Sequence, residues 1–120
     1  MEFIALLSTG KGTWGQVIGL LKRGEWEKAI IIGDDFAKKR FSSFDEMKNV
    51  EFIEVNLSRS INDCIDELKK KLKGKIKGTE VALSIASGSG KEHMALISAL
   101  LNLPVGIKFA VLTKNGVEFF

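Results

Sequence analysis

Short apolar runs alternate with amphipathic segments along the whole chain. Five of these runs predict strands, over residues 3–7, 29–32, 52–55, 81–86 and 107–112. They are apolar at nearly every position, which is typical of strands buried on both faces of a parallel sheet. A sixth strand, residues 117–120, follows Asn115-Gly116, a dipeptide that favours a tight antiparallel hairpin.

Between these runs, apolar residues spaced three and four apart predict helices over about 13–22, 61–72 and 91–103. Ser60 is placed to cap the second of them, and Ser87 and Ser89 can cap the third. Ser43 and Glu46 have the spacing of a capping box and predict a short helix over 44–49. The last long helix is apolar around most of its circumference. We therefore expect it to be central to its domain or covered by a second subunit.

The alternation of strands and helices predicts an α/β fold, a three-layer, Rossmann-like, doubly wound and mainly parallel sheet. We expect the strand order 3-2-1-4-5, with the C-terminal hairpin strand antiparallel beyond the fifth strand. The 120 residues should form one domain, because the chain is too short for a cofactor domain plus a substrate domain.

The cysteine content, the N-terminal segment and the charge limit the classes of protein to which the chain could belong. The single cysteine, Cys64, lies on the apolar stripe of a predicted helix, which argues against a disulfide framework and a metal cluster. The N-terminal segment has no basic region and only a short apolar run, so we expect a cytoplasmic protein without a membrane segment. The net charge is +3, and lysines cluster over 69–77. That run is typical of a solvated helix face; it is compatible with nucleic acid but does not favour it.

Two glycine-rich loops carry the candidate chemistry, over residues 8–15 and 86–93. They follow the first and fourth strands, which the expected order makes neighbours, so both loops should meet in the crevice where open α/β sheets bind ligands. Backbone N–H groups and helix N-termini in such a crevice attract anions, and phosphate is the natural ligand class. Glycine and serine are also the ordinary residues of tight turns, and a ligand-free interaction or scaffold subunit remains an alternative.

Two known phosphate-binding motifs were compared with the loops. The P-loop pattern is excluded, because Ile85 and Glu92 stand where it requires glycine and a hydroxyl residue. The glycines of 10–15 have the dinucleotide fingerprint spacing, and Asp34 or Asp35 follows about 20 residues later, where a ribose-binding acid is expected. A dinucleotide-binding module is therefore an alternative, although Trp14 is a bulky neighbour for a pyrophosphate.

The same loops resemble those of the CARF (CRISPR-associated Rossmann fold) family. The resemblance is carried by Ser8-Thr-Gly-Lys-Gly-Thr13 and by Ser87-Gly-Ser-Gly-Lys91 with the apolar helix behind it. The second loop is similar to the family's Gly-Thr-Lys type of loop, with Ser89-Gly90 in place of the usual pair of small residues. The order of elements extends the resemblance over the whole chain, which would make residues 1–120 one CARF-like domain.

The resemblance implies binding of a cyclic oligoadenylate across a symmetric homodimer, with no further cofactor and no metal. It also implies a candidate ring nuclease, in which a ribose 2′-hydroxyl attacks the neighbouring phosphate. The family's hydroxyl and lysine map to Ser8 or Thr9 and to Lys91, with help from Lys11. The candidate ligand-binding residues are Ser8, Thr9, Gly10, Lys11, Gly12, Thr13, Ser87, Gly88, Ser89, Gly90, Lys91 and His93.

Two aromatic side chains near the loops have competing interpretations. His93 could protonate a leaving 5′-oxygen, but a partly exposed residue at a helix start is the commoner role. Trp14 could stack on a base, but its place on the apolar stripe favours core packing.

Overall fold

The computed structural model describes residues 1–8, 14–41, 47 and 49–120. In chain order its elements are β1 (Glu2–Leu7), α1 (Trp14–Arg23), β2 (Lys28–Gly33), α2 (Asp35–Phe41), β3 (Val50–Glu54), α3 (Ile61–Leu72), β4 (Glu80–Ser84), α4 (Gly90–Asn102), β5 (Gly106–Thr113) and β6 (Gly116–Phe119). The sheet order is β3-β2-β1-β4-β5-β6. All neighbours are parallel except β5 and β6, which are antiparallel. The predicted Rossmann-like fold and strand order are confirmed.

Alternation along the central strands divides the core into two layers. In β1, Ile4 and Leu6 face the layer that contains α3 and α4, whereas Phe3, Ala5 and Leu7 face the layer that contains α1 and α2. All six residues of β1 are buried, as expected for a central strand covered on both faces. The carboxyl ends of β1 and β4 therefore lie side by side, with α1 and α4 on opposite faces of the sheet.

One helix differs from the sequence prediction. Helix α2 spans Asp35–Phe41 and is capped by Asp34, whose Oδ1 accepts a hydrogen bond from the Ala37 N–H at 2.9 Å. The helix predicted over 44–49 lies largely outside the described residues, and the two described positions, Met47 and Asn49, are not helical. Nothing in the described part of the chain is a helix long and apolar enough to cross a lipid bilayer.

Candidate functional site at the carboxyl ends of β1 and β4

The loops that follow β1 and β4 are joined directly. The Ser87 hydroxyl, 1% exposed, accepts a hydrogen bond from the Ser8 N–H at 3.0 Å. The Ser8 carbonyl accepts another from the Trp14 indole Nε1 at 2.7 Å. Both backbone polar groups of Ser8 are therefore fixed. Within the described residues its hydroxyl has no hydrogen bond, so it is available to a ligand.

Five of the predicted site residues fall outside the described part of the chain, namely Thr9, Gly10, Lys11, Gly12 and Thr13. Their place in the site stays a prediction from the sequence. Ser8 and Trp14, the described residues on either side of this segment, are hydrogen-bonded to each other at the carboxyl end of β1.

A capping box begins α4. The Ser89 hydroxyl accepts a hydrogen bond from the Glu92 N–H at 3.2 Å, and Glu92 Oε1 accepts one from the Ser89 N–H at 2.7 Å. The predicted capping role of Ser89 is confirmed, whereas Ser87 links the loops instead. Among the described residues, the N–H groups of Gly90 and Lys91 have no hydrogen-bond acceptor, as expected for the first turn of a helix. They remain available to an anion.

The turn before this helix depends on Gly88 and His93. Gly88 has φ +109°, a left-handed conformation that strains any residue with a side chain. A Cβ there would also lie 3.1 Å from His93 Nε2. That nitrogen is 2.9 Å from the Ser87 carbonyl, an obligatory acceptor, so Nε2 carries a hydrogen and donates it. His93 thus stabilises the conformation of this loop through its hydrogen bond to the Ser87 carbonyl.

Lys91 extends away from the crevice. Its ammonium donates to the carbonyl of Leu57 at 3.5 Å and to the carbonyl of Arg59, both in the loop between β3 and α3. The Arg59 guanidinium in turn pairs with Glu67. The side chain predicted to neutralise a phosphate is therefore held by the neighbouring loop. It would have to leave those carbonyls to reach a ligand over β1 and β4.

One contact of the dinucleotide fingerprint is absent among the described residues, and its two candidate acids already have partners, Asp34 at the start of α2 and Asp35 with Lys39. The third glycine of that fingerprint lets the helix pack closely on the strand, yet a Cβ on Gly15 would meet no atom within 4 Å. The close approach occurs at Gly19 instead, where a Cβ would lie 2.6 Å from the Leu112 side chain. Asp34, a candidate for the ribose contact, caps α2 with its carboxylate. These contacts fit a dinucleotide site poorly.

An acidic surface lies beside the crevice, at the ends of β2 and β3. It borders a cavity of about 550 Å³ whose lining includes Asp34, Asp35, Glu54 and Glu67. Burial opposes ionisation of Glu67, but Lys71 at 2.9 Å and Arg59 outweigh it and hold the pKa of this carboxyl below its usual range. In the described residues, no cluster of three or more His, Cys, Asp or Glu side chains is arranged to hold a metal ion. Lys71 also lines this cavity, and Asp35, Glu54 and Glu67 are each paired with a lysine or an arginine, so the surface carries charges of both signs.

On the other side of β4 lies a small cavity that sequence reasoning missed. Its volume is about 220 Å³, and its mostly apolar lining includes Gln16, Ile85, Ala86, Phe109 and Val111. The Gln16 amide pairs with the Leu112 backbone, donating to the carbonyl at 2.8 Å and accepting from the N–H at 3.2 Å. The only sequence signal was a polar residue beside the apolar stripe of α1. The cavity is large enough for a planar ring and follows directly on the Ser87 loop.

No protein-family model matches the sequence, and no curated protein matches it significantly. The geometry of the crevice and the residues of its two loops are therefore the features that bear on function.

Proposed function

We propose that the protein binds a cyclic oligoadenylate across a symmetric homodimer, with the loops after β1 and β4 of each subunit holding the ligand phosphates. The observation that carries the proposal is the bond between Ser87 and Ser8. It joins two glycine-rich loops in one crevice, next to the unpaired N–H groups at the start of α4. Such N–H groups, with the helix dipole behind them, are suited to phosphate.

A nucleotide accounts for more of this surface than a bare anion does. The apolar cavity beside Ile85 and Ala86 is adjacent to the phosphate-binding loop and accommodates a base. The start of α4 lies on one side of that loop, and the cavity lies on its β5 side. Both features support a ligand whose phosphates lie over β1 and β4 and whose base lies toward β5.

The outer face of α4 supports the homodimer. Met94 and Leu101 lie one above the other on that face, opposite the buried Leu96 and Ala99, and each is 59% exposed. An apolar stripe on the solvent side of a helix is typical of a covered interface. Because Met94 is one turn from Lys91, a two-fold axis beside this stripe would bring two phosphate-binding loops together. A ligand with two-fold symmetry suits that arrangement.

Ring cleavage is the second part of the proposal and rests on the same residues. The ligand supplies its own nucleophile: a ribose 2′-oxygen attacks the adjacent phosphorus and the P–O5′ bond breaks. The proton released by the 2′-hydroxyl is balanced by the one taken up by the departing 5′-oxygen, which leaves a linear product with a 2′,3′-cyclic phosphate and a 5′-hydroxyl. The protein would hold the attacking group in line and stabilise the developing charge. Ser8, whose backbone is fixed on both sides, or Thr9 would position the ribose, and Lys91 would neutralise the phosphate.

Calorimetry tests the binding step, with cyclic tetra-adenylate and cyclic hexa-adenylate as ligands and NAD as the comparison. We expect one cyclic ligand to bind per two chains, and Lys91→Ala to weaken binding at least tenfold, since hydrogen bonds to charged groups contribute about 1.5–3 kcal/mol. The matched control is Lys70→Ala, an exposed lysine on α3 that should leave binding unchanged. Absence of heat with both cyclic ligands would overturn the proposal, and heat with NAD alone would favour the dinucleotide alternative.

The dimer and the cleavage step have separate readouts. Sedimentation should show a dimer that Leu101→Glu dissociates and that Asn115→Glu, in the exposed β5–β6 turn, leaves intact. Chromatography after prolonged incubation should show linear products that disappear in Lys91→Ala. A wild-type monomer would refute the dimer. Binding without linear products would refute cleavage.

A further inference from the structure

The carboxylate of Glu92 lies at the position where the proposed phosphate site is most attractive to anions. Its Oε1 accepts the Ser89 N–H at 2.7 Å, and a Cβ on Gly88 would lie 3.1 Å from the same oxygen. The carboxylate therefore covers the turn before α4. It also uses one of the backbone donors that a phosphate would otherwise meet.

No cation within the described residues neutralises this carboxylate by an ion pair. The adjacent Lys91 is turned toward the carbonyls of Leu57 and Arg59. The other titratable group beside the turn, His93, directs Nε2 at the Ser87 carbonyl rather than at Glu92. Among the described residues, the negative charge of Glu92 is thus balanced by the N–H groups and the dipole of α4, the groups that would balance a ligand phosphate.

We infer that Glu92 is a specificity-determining residue that selects bridging phosphodiesters over terminal phosphates. This inference rests on the proposed function, because it assumes that the ligand phosphate binds at the start of α4. A phosphodiester carries one negative charge, whereas a terminal phosphate carries nearly two above its second pKa, near 6. Repulsion from a fixed carboxylate grows with the charge of the ligand, so it penalises the terminal phosphate more.

The consequence for the proposed ligand is direct. A closed ring contains only bridging phosphodiesters, so it pays the smaller penalty at each of its phosphates. A linear oligoadenylate with a terminal phosphate presents a dianion and is disfavoured by the same carboxylate. Glu92 would therefore let the site distinguish closed rings from phosphorylated linear chains without reading their bases.

Glu92→Gln is the informative substitution, because glutamine can keep the capping-box hydrogen bonds while removing the charge. Affinities for cyclic tetra-adenylate and for linear tetra-adenylate with a 5′-phosphate would be measured at pH 8 and low ionic strength by competition. A charge about 4 Å away in water corresponds to about a fivefold change in affinity per unit of ligand charge. We expect Glu92→Gln to strengthen cyclic binding about fivefold and binding of the terminal phosphate about twenty-five-fold.

The matched control is Glu25→Gln. Glu25 is an exposed carboxylate that precedes β2, at the amino ends of the strands, so its substitution should change neither affinity. Added salt should reduce the difference between wild type and Glu92→Gln, as expected for a charge effect. If wild type and Glu92→Gln bind the cyclic ligand but show the same ratio of affinities, the inference on Glu92 fails and the proposed function stands. If neither protein binds either ligand, the proposed function fails.

Discussion

Replacing Ser87 with alanine should separate the two loops without disturbing the sheet below them. The substitution leaves the Ser8 N–H without its acceptor, which in the present structure is a hydroxyl 3.0 Å away and 1% exposed. A buried donor left unsatisfied costs about 1–3 kcal/mol. Since Ser8 is half-buried and water can reach it, we expect a loss of about 1–1.5 kcal/mol, in the lower part of that range.

Urea unfolding measures this loss, and Ser84→Ala is the matched control. Ser84 is also 1% exposed, but its hydroxyl accepts only a long hydrogen bond, from the Ala86 N–H at 3.4 Å. Its removal should therefore cost about 0.5 kcal/mol or less. Ser87→Ala should also weaken binding of the cyclic ligand, because the Ser8 hydroxyl would lose its fixed position. Equal losses of stability in the two variants would refute the argument that the bond between the loops contributes stability.

Three further predictions concern stability and are checked by urea unfolding. Gly33→Ala should destabilise the protein by about 1–3 kcal/mol, because a Cβ there would lie 2.7 Å from a backbone carbonyl oxygen of β1. Gly15→Ala is the control and should be neutral or stabilising, because no described atom is close to the added Cβ. Gly88→Ala should cost about 1–2 kcal/mol, because its φ of +109° strains an alanine; an unchanged stability would contradict this. The hydrogen bond from Lys75 keeps the pKa of the Glu51 carboxyl low in the folded protein. The ionised carboxylate therefore stabilises the fold fully above its pKa in the unfolded chain, near 4.3, and this stabilisation is lost as the pH falls through the folded pKa. Glu51→Gln should therefore lower the free energy of unfolding by about 0.5 kcal/mol or less at pH 7 and make it depend less on acid pH. An unchanged acid dependence of stability would refute the role of the Glu51–Lys75 pair.

The strands and their order could be predicted because each is specified by local sequence. Continuous apolar runs identified β1, β2 and β4 as buried parallel strands, and Asn115-Gly116 identified the hairpin between β5 and β6. The doubly wound order then followed from general rules of connection. Helix α2 was missed because it is short and mostly charged. Only Ala37 and Phe41 are buried along its 7 residues, so no apolar stripe marks it.

The contacts of the candidate site were harder to predict than the fold. The sequence placed the loops after β1 and β4 in one crevice and identified Ser89 as a helix cap, since both follow from neighbouring residues and strand order. It could not predict that the Lys91 ammonium binds carbonyls of the β3–α3 loop, 32 residues away at Arg59. That contact depends on how α3 and α4 pack together. The same packing directs the Lys91 ammonium to those carbonyls rather than to the proposed phosphate position.

The polar groups around the crevice are largely satisfied within the protein. The Ser87 hydroxyl binds the Ser8 N–H, Lys91 binds carbonyls of a neighbouring loop, and Glu92 binds the Ser89 N–H. A ligand phosphate would therefore meet the free N–H groups of Gly90 and Lys91 but would also replace existing hydrogen bonds, so its affinity depends on the difference between the two sets of contacts. Charge decides that difference. If Lys91 gave up its carbonyl acceptors for the phosphate, the phosphate would gain a neighbouring cation. If the phosphate took the Ser89 N–H from Glu92, the carboxylate would have to leave the N-terminal end of the helix dipole. If the proposed site binds phosphate, Lys91→Ala should weaken binding and Glu92→Gln should strengthen it.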